Sequence, residues 1–258
     1  MKTIFLSVFS FLSFALFAQT QITYDYFEND MSICTAILLI QNNESIFKLN
    51  DLRTSGLDEK HSTDDVFHFA QNDEISKVIY STEKSSIVRI PLYGNEIIYQ
   101  VGLDVDGAYK FTGKHKKIGD FDCEQLIHKA YGKEYDIWFT TEVPLNFGPI
   151  KLNNNPGLLV EVTDVTINRK YILNKIENKV DIVLFNKLKD YMLSKKYLMK
   201  EEYDKKVTEI LTNKKRAKIA KMNENGATIT FPTHEKSSTA FLIDIPEGLI
   251  PALNKISQ

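Results

Sequence analysis

The chain contains few of the residues that mark a specialised architecture. Among its 258 residues are two cysteines, seven prolines and eleven glycines, too few for a disulfide scaffold, a collagen-like repeat or a Gly/Pro-rich linker. Its 34 acidic and 32 basic residues nearly cancel, which removes the electrostatic case for nucleic-acid binding. With 43% apolar residues the chain can bury a core, and without a linker we predict a single domain.

The most apolar run lies at the start of the chain. Lys2 is followed by an uncharged stretch from Ile4 to Ala18, and the small Ala18 precedes polar Gln19. About 15 apolar residues fall short of the roughly 20 that span a bilayer, which is typical of a secretory signal peptide. We therefore expect cleavage after Ala18 and a mature domain over residues 19–258 without a transmembrane span. Its expected location is the periplasm or the extracellular space.

The two cysteines leave two alternatives open in such a compartment. Cys34 and Cys123 are 89 residues apart, and both lie in apolar, strand-like surroundings. A disulfide between them would close a long loop and could add about 4 kcal/mol to the stability. Two buried free thiols are the alternative, and sequence spacing does not decide between them.

Short segments of alternating or β-branched residues recur along most of the chain. Examples are Ile22–Phe27, Cys34–Gln41 and Lys133–Val143, each of which indicates a strand. Short turns such as Asn42–Glu44 separate them, and no long helix alternates with them before about residue 180. The pattern predicts an antiparallel meander rather than a doubly wound α/β fold.

The last third of the chain is more highly charged and predicts a helix. Its apolar residues recur at helical spacing and share one face: Tyr203, Val207, Ile210 and Leu211. We interpret the lysines near its end as a solvated face rather than a basic binding patch, because acidic residues of the same helix offset their charge. Two final strands are expected at Ala227–Phe231 and Thr239–Ile245.

Side chains that could bind a metal ion or catalyse a reaction are scattered. The nearest approach to a metal-ligand cluster is a polar segment, which matches no zinc spacing and contains His61, Asp64, Asp65 and His68. The segment from Asp104 begins like a calcium loop but lacks the glycine and the acid required later, so we predict a turn. Without a nucleophile or phosphate-loop motif, we expect no metal, no cofactor and no enzymatic activity.

Prolines and glycines, sparse elsewhere, are concentrated between Trp138 and Val162. Pro144 cannot donate to a sheet ladder, so it ends the strand that holds Trp138. Gly148 and Pro149 indicate a turn, and the three residues Asn153–Asn155 tolerate left-handed backbone. Pro156 and Gly157 suit a type II turn. We interpret this stretch as a long, proline-pinned connection between two strands.

These residues resemble the motif of the GLPGLI family of secreted proteins from Bacteroidota. The matching elements are WFT (138–140), EVP (142–144), GPIKL (148–152) and NNPGLL (154–159), with IGDFDCEQ (118–125) upstream. The upstream element places Cys123 at a family position. The hexapeptide departs from the family pattern where Asn154 replaces glycine and Asn155 replaces leucine. Because asparagine adopts left-handed backbone readily, we expect the turn to survive at Asn154.

The resemblance implies a mainly β (α+β) fold with a C-terminal helix, in which a curved antiparallel sheet forms a half-barrel similar to that of periplasmic lipoprotein carriers. It implies a non-catalytic cell-envelope protein that binds an apolar ligand, a peptide or an envelope partner. The alternatives are a secreted hydrolase with dispersed carboxylates and histidines, and a structural protein whose loop only covers a sheet edge. The expected binding residues are Trp138, Phe139, Pro144, Phe147, Gly148, Pro149, Leu152, Pro156, Gly157, Leu158 and Leu159.

Overall fold

The structure, a computed structural model, describes residues 19–50, 77–92, 95–102 and 109–224. Within these ranges it contains eleven strands and two helices. The strands are β1 (Gln19–Glu28), β2 (Met31–Gln41), β3 (Glu44–Asn50), β4 (Lys77–Ser81), β5 (Ser85–Leu92), β6 (Asn95–Gly102), β7 (Tyr109–Ile118), β8 (Phe121–Ala130), β9 (Lys133–Thr140), β10 (Leu158–Asp164) and β11 (Arg169–Glu177). The helices are α1 (Ile182–Ser194) and α2 (Lys200–Glu224). The expected signal peptide, the group from His61 to His68, the turn after Asp104 and the two final strands lie outside the described residues.

All eleven strands form one sheet in the order β6-β5-β4-β3-β2-β1-β11-β10-β9-β8-β7. Each strand pairs antiparallel with its neighbour in sequence except β6 and β7, which do not pair with each other, and in addition β1 pairs with β11. The sheet therefore consists of two meanders joined through β1 and β11. Its two edges, β6 and β7, follow each other directly in sequence. The predicted antiparallel, mainly β fold with a C-terminal helix is confirmed.

The short connection between the two edge strands requires the sheet to curve strongly. Laid flat, eleven strands at a spacing of about 4.8 Å would separate β6 from β7 by about 48 Å. Residues 103–108 join Gly102 to Tyr109, and a connection of that length reaches at most about 25 Å. The sheet therefore curls until its edges approach each other. It does not close, and we call the gap between β6 and β7 the seam.

Alternation along the strands gives the sheet two different faces. The inner, concave face carries the main core, which includes Tyr24, Leu38, Phe47, Leu126 and Ile137. On the half made of β2–β6, the outer face carries a second apolar cluster: Leu39, Ile46, Val78, Ile87 and Ile98. Burial on both faces explains why these strands read as nearly continuous apolar runs in the sequence.

Helix α1 covers the second apolar cluster on the outer face. It begins after Asp181, whose side chain accepts a hydrogen bond from the backbone N–H of Leu184 at 3.0 Å. Phe185, Leu188 and Met192 are buried against the sheet. Their spacing of three and four residues is the ordinary pattern of an amphipathic helix.

Helix α2 packs on the inner side of the same edge. Between the helices, Leu198 passes β6 as a parallel bridge, donating to the carbonyl of Ile98 and accepting from the N–H of Gln100, both at 2.8 Å. The ring of Tyr203 then stacks on Tyr99 in β6, with centroids 3.9 Å apart. The predicted apolar face is confirmed: Tyr203, Val207 and Leu211 are buried, and Ile210 is half-buried. Neither of the described helices is long and apolar enough to cross a membrane.

A carboxylate at the start of β3 fastens α1 to the sheet. Lys189 of α1 donates to one oxygen of Glu44 at 2.5 Å, and the hydroxyl of Tyr80 donates to the other at 2.7 Å. Burial acts to raise the pKa of the Glu44 carboxyl, but the hydrogen bonds from Lys189 and Tyr80, together with the charge of Lys189, outweigh it and lower the pKa.

Protonation of Glu44 should weaken this attachment. Because its pKa is lower in the folded than in the unfolded chain, the stabilisation is fully present above the ordinary value of 4.5 and is lost as the pH falls through the lowered value. We expect Glu44→Gln to flatten the acid dependence of the free energy of unfolding in that window, measured by urea titration at several pH values. Glu83→Gln, at an exposed turn position, is the control and should retain the parent slope. Identical slopes for the parent and Glu44→Gln would contradict the assignment.

Candidate functional site

Residues 141–157, which we call the motif loop, connect β9 to β10 across the inner face. Most of its apolar side chains are buried, as are those flanking it: Phe139, Leu145, Phe147, Leu152, Leu158 and Leu159. Val143 and Ile150 are half-buried against the same core. Of the other expected binding residues in the loop, Gly148, Pro149 and Gly157 are buried, whereas Pro144 and Pro156 are exposed. The apolar part of the loop therefore contributes to the core instead of presenting a surface to a ligand.

Trp138 belongs to the same sequence motif as the loop residues, but in the structure it lies on the other face of the sheet. It lies on the outer face, because it precedes the inward-facing Phe139 on the same strand. The ammonium of Lys116 lies 4.1 Å from the centroid of its half-buried ring and donates to Glu161 at 3.1 Å. Trp138 thus belongs to a charged outer surface close to β7.

At two positions of the motif loop, neighbouring atoms leave room for glycine but not for a residue with a Cβ. A Cβ on Gly157 would overlap the carbonyl oxygen of Thr140, and one on Gly148 would lie 2.5 Å from a methyl carbon of Leu159. Gly157 does not adopt a positive φ, so the predicted type II turn is wrong, and close approach to β9 explains this glycine instead. Positive φ occurs in the loop at Ile150, at 64°, and at Asn154, at 61°, and the second value confirms the left-handed backbone expected at Asn154.

Asn155 makes a set of polar contacts inside the loop. Its side chain is buried, and its Nδ2 donates to the carbonyl of Leu152 at 2.8 Å. Its backbone N–H donates to the carbonyl of Asn146 at 3.2 Å. The loop conformation is therefore fixed by its own hydrogen bonds at the position where an apolar contact was expected.

The motif loop also ties the two halves of the sheet together. Nδ2 of Asn153 donates to Oγ of Ser86 in β5 at 3.3 Å. The hydroxyl of Tyr109, in β7, lies 3.1 Å from the carbonyl oxygen of Asn153 and 3.0 Å from Oδ1 of Asn155, and donates to them. Burial raises the pKa of Tyr109 to about 12, so the hydroxyl keeps its proton at neutral pH. One short segment therefore spans the seam from inside.

A buried lysine adds a further contact across the seam. The ammonium of Lys151 lies 4.2 Å from the ring centroid of Tyr131, between β8 and β9. It lies 5.9 Å from the ring centroid of Tyr99, in the edge strand β6. Cation–π contacts of this kind contribute roughly 0.5–2 kcal/mol each.

The two cysteines are free thiols, so the disulfide alternative is not formed. Cys34 lies on β2 and Cys123 on β8, with β1, β11, β10 and β9 between them in the sheet. Burial raises the pKa of the Cys123 thiol, which donates to the carbonyl of Phe121 at 3.6 Å. A reactive cysteine needs the opposite shift, toward the thiolate.

An open cleft of about 460 Å³ lies where β7 and β8 meet the start of the motif loop. Its lining residues are His115, Lys116, Lys117, Asp122, Cys123, Glu124, Phe139 and Thr141. Of these, the sequence analysis identified only Cys123 and Phe139 as candidates. Asp122 and Glu124 lie within the IGDFDCEQ element but were not identified as candidates, and the pairing of β7 with β8 brings them beside His115, Lys116 and Lys117. No group of His, Cys, Asp or Glu side chains that could hold a metal ion occurs among the described residues.

Strand β7 borders this cleft and carries a row of exposed side chains made of His115 and four lysines: Lys110, Lys114, Lys116 and Lys117. Between them, Phe111 is 52% exposed. Within the described ranges, no strand pairs with the side of β7 that faces away from β8. This combination of an unpaired edge, lysines and an aromatic ring is the candidate binding surface of the described residues.

Comparison with known proteins reveals a distant structural likeness and no sequence match. No family model matches the chain, and no curated protein matches it. Two structures of PNGF-II, in different space groups, are similar to it with TM-scores of 0.45 and 0.46 at 11% and 14% identity. The matches cover 62% and 70% of this chain but 28% and 30% of PNGF-II, so the chain spans less than a third of that protein's length.

Alanine at Gly157 should strongly destabilise the protein. The added carbon meets a main-chain oxygen rather than a flexible side chain, so the backbone of β9 or of the loop must move. We expect a loss of about 3 kcal/mol in the free energy of unfolding, at the upper end of overpacking costs. The control is Gly102→Ala, where a Cβ meets nothing within 4 Å and a change below about 0.5 kcal/mol is expected. Equal stabilities of the two variants would refute the close-approach explanation.

Phenylalanine at Tyr109 should loosen the seam. The substitution keeps the ring that packs 4.4 Å from His128 but removes the donor to Asn153 and Asn155. We expect a loss of about 1–2 kcal/mol, because buried oxygens lose their partner. Hydrogen exchange should accelerate in β7 and in the motif loop more than in the β2–β3 hairpin. Tyr197→Phe, at an exposed position, is the control, and an unchanged exchange pattern in Tyr109→Phe would argue against this role of the hydroxyl.

Proposed function

We propose that this chain is a non-catalytic protein of the cell envelope, located in the periplasm or outside the cell, that binds a polypeptide partner beside β7. One observation carries the proposal. The apolar residues of the motif loop are buried in the core, while the cleft and the β7 edge are accessible. Of the ligands that the resemblance implies, a peptide or an envelope partner fits this surface better than an apolar molecule inside the sheet.

The chemistry of the surface supports a polypeptide partner. The cleft volume of about 460 Å³ lies within the range of ordinary ligand sites. Its lining mixes cations, carboxylates and the ring of Phe139, which suits side chains of several kinds rather than a lipid tail. The adjacent strand edge offers unpaired main-chain donors and acceptors, which extended peptides use in many complexes.

A thiol hydrolase is the second candidate, because the same cleft brings together His115, Cys123 and Glu124. Two observations count against it. Cys123 is only 2% exposed, and its raised pKa favours the unreactive thiol at neutral pH. A binding surface needs none of these groups to react.

The test uses the purified full-length mature protein and an array of synthetic peptides of acidic, basic and apolar composition. We expect saturable binding of a subset of peptides, with no cleavage of any of them. Native mass spectrometry of the same preparation checks the alternative ligand class. A co-purified apolar molecule, together with a blank peptide array, would overturn the proposal.

Serine at Cys123 separates the two candidate functions. We expect Cys123→Ser to bind array peptides as the parent does, since the thiol faces a backbone carbonyl and not the partner. A Cys34→Ser variant, in which the other buried thiol is replaced, is the matched control for effects on stability. If the protein hydrolyses a peptide or ester substrate, and this activity is lost in Cys123→Ser but kept in Cys34→Ser, the hydrolase function would be established instead.

A further inference from the structure

We propose that the free side of β7 docks an extended, acidic segment of the partner protein, which pairs with β7 as an additional strand of the sheet. The inference rests on the proposed function and specifies both the site and the chemistry of the partner. Four features of the described residues support it: the state of the two sheet edges, the charges on β7, the exposed ring of Phe111, and the position of the cleft.

The two edges of the sheet differ in what covers them. At β6, Leu198 forms main-chain hydrogen bonds on both sides of Tyr99, and helices α1 and α2 flank the strand. At β7, the side facing away from β8 has no paired strand within the described ranges. An incoming segment therefore finds its main-chain partners at β7 and not at β6.

The charges on β7 select the partner. Lys110, Lys114 and Lys117 are exposed, and no ion pair within the described residues involves them. Lys116 differs, because it is held by Glu161 and by the ring of Trp138. Lysines on an edge strand repel basic strands, and pairing with a neutral strand would desolvate their charges without compensation, so they oppose aggregation. The same lysine charges attract an acidic strand, so they disfavour basic partners and favour acidic ones.

The exposed aromatic ring argues against a purely protective role for this edge. Phe111 is 52% exposed, and its ring packs edge-on against Phe139, with centroids 5.9 Å apart. Phe139 also lines the cleft, so the two rings form an apolar contact point beside the lysines. Asp122 and Glu124 line the same cleft, and their carboxylates repel acidic side chains there. We therefore place the acidic side chains of the partner against the exposed lysines and an apolar side chain of the partner against the two rings.

A bulge in β7 divides the docking site into two stretches. The pairing with β8 is regular from Tyr109 to Phe111 and again from His115 to Ile118. Between them the register shifts, and Gly113 adopts a φ of 72°. A partner segment that pairs with either stretch needs only a few residues, which fits a short linear segment better than the strand of a folded domain.

The experiment uses a fluorescent twelve-residue peptide that alternates glutamate with valine and contains one central phenylalanine. The comparison peptides carry lysine in place of glutamate, or N-methyl groups on alternate residues that block strand pairing. By fluorescence anisotropy, we expect the glutamate peptide to bind at least about tenfold more tightly than either comparison peptide, and to weaken as salt is added.

Charge reversal locates the site. The triple variant Lys110→Glu, Lys114→Glu, Lys117→Glu changes only exposed side chains, so it should fold. We expect this variant to bind the lysine peptide and no longer to bind the glutamate peptide. The matched control reverses three exposed lysines elsewhere, at Lys179, Lys196 and Lys205, and should bind as the parent does. If the β7 variant and the control bind the glutamate peptide equally, this site is wrong, although the proposed function stands as long as the peptide array is positive. A blank array overturns both.

Hydrogen exchange tests whether the edge is free. In the full-length protein, we expect the β7 amides that face away from β8 to exchange fast and to become protected when the glutamate peptide binds. Protection of those amides before peptide is added would mean that another segment or a second copy already occupies the edge, and would overturn the proposal. So would a concentration-dependent dimer that dissociates in the β7 charge-reversal variant.

Discussion

The structure depends on the contacts that hold the two edges of one curled sheet together. Asn153 donates to Ser86 in β5 and accepts from Tyr109 in β7, although most of the sheet lies between these strands. The inner core is buried only if both halves stay curved around it, and curvature alone does not fix the distance between edges that do not pair. A few loop residues therefore stabilise a core many times their size.

This constraint explains why prolines and glycines, sparse elsewhere, are concentrated in the motif loop. The loop must enter the concave side of the sheet, contact both halves and return to β10 within 17 residues, the range 141–157. Gly148 and Gly157 allow approaches that a Cβ would prevent, and Asn154 supplies left-handed backbone. The motif that resembles a secreted family is thus, in this chain, a set of packing requirements, and its residues need no ligand to account for them.

The sequence predicted what depends on local pattern and missed what depends on distant contacts. Strand alternation and two-residue turns, such as Asn42–Asn43 with positive φ at both residues, are local, and they indicated the meander correctly. The spacing of Phe185, Leu188 and Met192 could have delimited α1, but the high charge density around them obscured it. The burial of the motif loop depends on strands far apart in sequence, such as β5 and β7, and the charged cleft depends on the register of β7 against β8, and no residue pattern quoted from the sequence encodes either.

The position of the binding surface follows from how the apolar residues are used. The inner face, the motif loop and the faces of both helices are engaged in holding the curled sheet. A sheet with a seam retains two edges, and the crossing segment with Leu198 covers only β6. Within the described ranges no strand pairs with the side of β7 that faces away from β8, and in the docking that we propose the lysines of β7 make pairing conditional on the charge of the incoming strand. In this proposal, selectivity for acidic segments follows from the same charges that oppose aggregation at the edge, and the exposed Phe111 provides the apolar contact that keeps such a segment bound.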